Sequence, residues 1–90
     1  MNKWQKKYCD EYYKGKIPNT KQGKETVALL GDVKDTIIVE FPKTKEKPAH
    51  IETYIVTEDD CDIPNGKISV SVLVSNLVFW KFRGYKVTSK

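Results

Sequence analysis

Ninety residues carry 16 lysines and arginines against 12 aspartates and glutamates, a formal net charge of +4, with 39% hydrophobic and 31% charged residues. That balance describes one small globular domain over residues 1–90 with a single modest core, and it excludes a disordered tail or a collagen-like chain. No apolar run approaches the roughly 18 residues of a membrane span, and Met1-Asn2-Lys3-Trp4-Gln5 lacks the apolar stretch of a signal peptide, so the expected location is cytoplasmic with no membrane partner.

In chain order, Asn2 with Gln5 three residues on forms a capping box, and Trp4, Tyr8 and Tyr12 recur every fourth residue, which predicts a helix over 3–14 with that stripe facing the core. Tyr13 lies off the stripe and is expected to be exposed. Gly15 stops the helix, and Pro18, Asn19 and Gly23 mark 15–25 as a basic loop. Five strands are predicted next, at 26–30, 36–41, 50–57, 67–74 and 77–88. Pro42 and Pro48 bracket the connection between the second and third. Asn65-Gly66 predicts a type I′ hairpin turn. The strict alternation of Ile68, Val70, Val72 and Val74 with Ser69 and Ser71 reads as a strand, and Ser75-Asn76 as a turn before Leu77–Phe82. The expected fold class is α+β: an N-terminal helix followed by a five-stranded antiparallel, strongly bent sheet or a small SH3/Sm-like barrel.

Charge is segregated along the chain. Residues 1–24 sum to +5, residues 25–62 to −6, and residues 63–90 to +5, the last with no acid at all. Aromatics follow the cations: Trp4, Tyr8, Tyr12 and Tyr13 in the first block, and Phe79, Trp80, Phe82 and Tyr85 in the last. Arg83 is the single arginine among the cations, and its planar fork can stack or grip a phosphate where lysine is a point charge.

Catalysis finds little support in these residues. His50 is the single histidine and reads as structural. Cys9 and Cys61 read as free thiols, too few with one histidine for a zinc site. Glu58-Asp59-Asp60-Cys61-Asp62 followed by Asn65-Gly66 has the wrong register for a calcium loop and reads as a solvated acidic turn. Gly23-Lys24-Glu25-Thr26 lacks the first glycine of a phosphate-binding loop. No cofactor and no metal are expected.

Phe82-Arg83-Gly84-Tyr85-Lys86-Val87, after a predicted strand, resembles the second signature of the Sm/Hfq-like barrels over residues 77–87. The resemblance implies a helix followed by about five strands. The first Sm signature has no counterpart here, so ring assembly and uridine-type RNA binding do not carry over.

The expected function is therefore a non-enzymatic binding module for a phosphate-bearing ligand, either single-stranded nucleic acid or a small or cyclic nucleotide. Sequestration of such a ligand would suit a phage-type counter-defence protein. On the predicted last strand, Leu77, Phe79, Lys81 and Arg83 share one face, and Val78, Trp80 and Phe82 the other. The candidate ligand-binding residues are Arg83, Lys81, Trp80, Tyr85, Phe79, Tyr13, Lys16 and Lys24, with flat rings to stack bases and cations to meet phosphate. The alternative is a protein–protein inhibitor or adaptor acting through the segregated acidic and basic faces. Leu77 and Phe79 are surplus to one core, which predicts a homo-oligomer.

Overall fold

A computed structural model describes residues 1–90. Helix α1 spans Lys3–Tyr12, α2 Lys21–Leu29 and α3 Val70–Arg83, with strands β1 Thr36–Phe41, β2 His50–Thr57, β3 Lys67–Ser69 and β4 Lys86–Ser89. The strand order is β3-β2-β1-β4. Strand β1 runs antiparallel to both its neighbours, and β3 runs parallel to β2. The class is α+β with the helix first. The sheet, however, has four strands rather than five, is mixed rather than antiparallel, and stays open rather than closing into a barrel.

The N-terminal capping box is present: the Gln5 amide donates to the Asn2 side chain at 2.8 Å, and the Asn2 amide donates to the Gln5 side chain at 2.9 Å. The same two residues also close α2. Asn2 Nδ2 donates to the Leu30 carbonyl at 2.6 Å and Gln5 Nε2 to the Val27 carbonyl at 3.1 Å, so two carbonyls at the end of α2 find donors on α1. Trp4 is buried and gives its indole N–H to the Lys34 carbonyl at 2.8 Å. Tyr12 departs from the expected inward stripe and is exposed, while Cys9 takes the buried position. Tyr13 is half-buried, edge-on to Tyr8.

The predicted basic loop 15–25 and strand 26–30 are in large part α2. Thr20 caps it by accepting from the Gly23 amide at 3.0 Å, and Val27 and Leu30 are buried, Leu30 in the main core. Strands 36–41 and 50–57 form as expected and pair from Thr36 opposite Ile55 to Phe41 opposite His50. Asn65-Gly66 does not make a type I′ turn. Ile63–Asn65 forms one 3₁₀ turn, and only Gly66 takes the left-handed conformation, with φ 79°.

The largest difference lies at 67–88. The predicted strand 67–74 stops at Ser69, and the predicted strand 77–88 keeps only Lys86–Ser89. Between them the chain is the 14-residue helix α3. Val70, Leu73, Val74, Leu77 and Trp80 line its inward face, and their spacing follows the helical period as well as alternation suits a strand. The expected turn at Ser75-Asn76 is inside the helix, where Asn76 Nδ2 bonds back to the Val72 carbonyl at 2.9 Å. Gly84, at φ 75°, ends α3; the Tyr85 amide donates to the Trp80 carbonyl and turns the chain into β4.

One face of the sheet carries Ile37, Val39, Tyr54, Val56 and Ile68 into a common core with α3, Trp4, Leu30 and Val33. The other face is bare. Ile51 and Ile55 stand exposed on it beside Thr53. No helix is long and apolar enough to cross a membrane.

Candidate functional site

Residues two apart share a face on a strand but point about 200° apart around a helix. The helical state of 70–83 therefore rearranges every pair the sequence reading made on the last strand. Trp80, expected to offer a face to a ligand, is 4% exposed; it stacks on Tyr54 with ring centroids 6.2 Å apart and meets Phe41 edge-on. Leu77, expected to be surplus, is also in the core. Phe82, expected on the same face as Trp80, is 87% exposed.

The outward side of α3 is a ridge. Val78, Phe79 and Phe82 lie at helical spacing and are all exposed. Arg83 stacks on Phe79, its guanidinium carbon 5.1 Å from the ring centroid, the i,i+4 contact a helix allows. Lys81 leaves the opposite flank, toward α2. The two cations, two residues apart, thus diverge across the ridge instead of converging on one point.

The remaining candidates are dispersed. Tyr85 is half-buried and edge-on to Phe41 at 5.2 Å, sharing a shallow depression with Lys81 that Leu29 and Val87 also line. Tyr13 and Lys16 belong to a different depression, built from the end of α1 and the α1–α2 connection. Lys24 is exposed on α2, off the stripe of Gln22, Glu25, Thr26 and Leu29 that faces α3 across an open groove. His50 stacks flat on Phe41 at 4.7 Å. Nothing gathers the eight residues into one site.

The charge blocks also meet inside the molecule. Lys7 of α1 pairs with Asp59 of the acidic turn at 3.4 Å, and that hydrogen bond raises the lysine above its ordinary pKa. Lys86 of β4 pairs with Glu40 of β1 at 3.6 Å. Part of the predicted basic surface is thereby neutralised by the chain's own carboxylates, whereas Lys81 and Arg83 make no ion pair.

Val78 and Phe82, which share a face with Trp80 in the strand reading, are separated from it by the helix. Their i,i+4 spacing with Gly84 just beyond is a helix signal, and the lysine and arginine in the last turn reinforce it. No protein-family model matches the chain, and no curated protein or solved structure matches it.

Proposed function

We propose that this chain is a non-enzymatic module that docks a partner protein through the α3 ridge. The observation that carries the reading is Phe82, 87% exposed at the crest with Phe79 and Val78 beside it and a cation on each flank. Surface aromatics and arginine are the side chains that most often anchor protein interfaces. The matching partner surface is an apolar groove with a carboxylate placed to meet Lys81, the cation on the α2 side of the ridge.

The expected phosphate-bearing ligand finds less support. A base-stacking site combines flat rings with a positively charged groove that tracks the phosphate backbone. Here Trp80 is internal, the cations point apart, and the bare sheet face carries no aromatic residue.

The test is capture on immobilised protein at about 150 mM salt, comparing the native chain with Phe79→Ser/Phe82→Ser. A protein held at near-equal stoichiometry by the native chain and released by the variant, at unchanged circular dichroism, supports the reading. A preparation whose 260 nm absorbance betrays bound nucleic acid or nucleotide, lost on Lys81→Ala or Arg83→Ala, overturns it in favour of the phosphate ligand. An identical set of captured proteins with the ridge variant also overturns it.

A further inference from the structure

We infer that the ridge is occupied, in the free protein, by a second copy of the same chain, joined groove to groove across a twofold axis; this rests on reading the ridge as a docking surface. The groove beside the ridge has two walls. Helix α2 supplies Gln22, Glu25, Thr26 and Leu29, and α3 supplies Val78 and Lys81. The floor is apolar at Leu29 and Val78. Phe82 stands one helical turn beyond Val78 on the same side, at the lip of the groove, and its own chain leaves it 87% exposed.

The charges in this groove select the occupant. Glu25 and Lys81 line facing walls, yet neither pairs with the other or with any other residue. A surface bearing one unpaired acid and one unpaired base beside an apolar floor is self-complementary. A twofold axis through the groove brings Lys81 of each copy to Glu25 of the other, so one patch yields two intermolecular ion pairs. The same operation lays each Phe82 over the Leu29–Val78 floor of its neighbour. A foreign partner would have to supply this combination independently; a second copy carries it already.

Size sets the expected strength. A phenylalanine side chain contributes about 200 Å² when fully covered, so Phe82 at 87% exposure offers roughly 170 Å² per copy. That is about a fifth of the ~800 Å² per partner of a standard interface. The dimer is accordingly weak and reversible, with half-association between about 1 µM and 1 mM.

Sedimentation equilibrium across that concentration range tests the inference. The expected mass rises from 10.4 kDa toward twice that value. Phe82→Ser weakens association at least about tenfold, the loss of roughly 1.4 kcal/mol of contact. Glu25→Lys and Lys81→Glu, each alone, place like charges across the axis and are expected to be monomeric. An equimolar mixture of the two variants restores the dimer, because the E25K copy then presents two bases across the axis and the K81E copy two acids. Rescue by mixing cannot come from contacts within a chain. A mass of 10.4 kDa at every concentration overturns the dimer and leaves the ridge to a different protein. A dimer that persists in Phe79→Ser/Phe82→Ser and in both charge variants also overturns the inference, since the contact then lies elsewhere, and it too leaves the ridge to a different protein.

Discussion

Two apolar surfaces of this molecule face away from its core, and they are built on opposite principles. The bare sheet face sets Thr36 opposite Ile55, Ile38 opposite Thr53, and Ile38 again opposite Thr88. These side chains are β-branched, the type that suits a pleated surface and packs against cross-strand neighbours, so each has a local reason to be there. The ridge of α3 sets Val78, Phe79 and Phe82 on the outside of a helix, where valine and phenylalanine are each worse than alanine by some tenths of a kcal/mol. Apart from the Arg83 guanidinium stacked on Phe79, no local preference explains them. Exposure alone does not mark a docking surface. Apolar residues that oppose their own secondary structure do, and by that measure the ridge is the surface that calls for a partner. The sheet edges agree, since both edge strands are short and begin with a lysine, an arrangement that discourages pairing with another sheet.

The comparison is sharpest against the covered side, two residues away from Phe82. Trp80→Ala removes a ring that is 4% exposed and stacked on Tyr54. The expected cost is about 3–5 kcal/mol, a large part of the roughly 5–15 kcal/mol typical of a whole domain. Urea unfolding should show a collapse of the midpoint, and a variant as stable as the native chain would mean that α3 does not seat on this sheet face.

Alkaline pH probes the same covered side. Burial raises the Cys9 thiol above its ordinary 9.0 and the Tyr8 and Tyr54 phenols above 10.0. The folded chain therefore holds these protons more tightly than the unfolded chain does. Their contribution is complete below the ordinary values and is lost as pH climbs through the raised ones. Tm should hold level up to about pH 9 and fall above about 10. Thiol labelling supplies a companion reading: exposed Cys61 should react in the native protein, and buried Cys9 only on unfolding.

What the sequence made legible follows from how many periods each segment satisfies. β1 and β2 alternate on either side of a connection bracketed by Pro42 and Pro48, and their inward residues Ile37, Val39, Tyr54 and Val56 fit no helical stripe, so both strands are readable to the residue. The capping box of Asn2 and Gln5 fixes the start of α1 in the same way. Segment 67–83 fits both periods: Ile68, Val70, Val72 and Val74 alternate, while Val70, Leu73, Val74, Leu77 and Trp80 trace a helix. β-Branched content favours the strand, and burial of the whole helical stripe against the sheet overrides that preference. The length of the run was the available arbiter, since 14 residues without glycine or proline exceed an ordinary strand. The site failed with the element, because Trp80 and Phe82 share a side on a strand and separate on a helix.

On the bare face a milder change is expected. Ile38→Ala forfeits cross-strand packing and β-preference, worth up to about 1 kcal/mol, and should leave the association state untouched. Loss of the dimer in this variant, at a concentration where the native chain associates, would show that the sheet face and not the ridge carries the contact.

The smallest effect on stability is expected at the most exposed aromatic, and there the sign is informative. Phe82 buries little area in its own chain, so Phe82→Ala removes nothing from the core. Alanine is the better helix former by roughly half a kcal/mol. At a dilution where the protein is monomeric, the variant should therefore be as stable as the native chain or slightly more so. At high concentration the order should invert, because a dimer that binds only the folded state raises its apparent stability by mass action. The Tm of the native chain should thus climb with protein concentration while that of Phe82→Ala stays level. Two flat and parallel lines would show that Phe82 meets nothing in solution. Two lines rising together would show that copies meet through another surface. Only divergence with concentration is consistent with a side chain that its own fold tolerates at a cost and its neighbour uses.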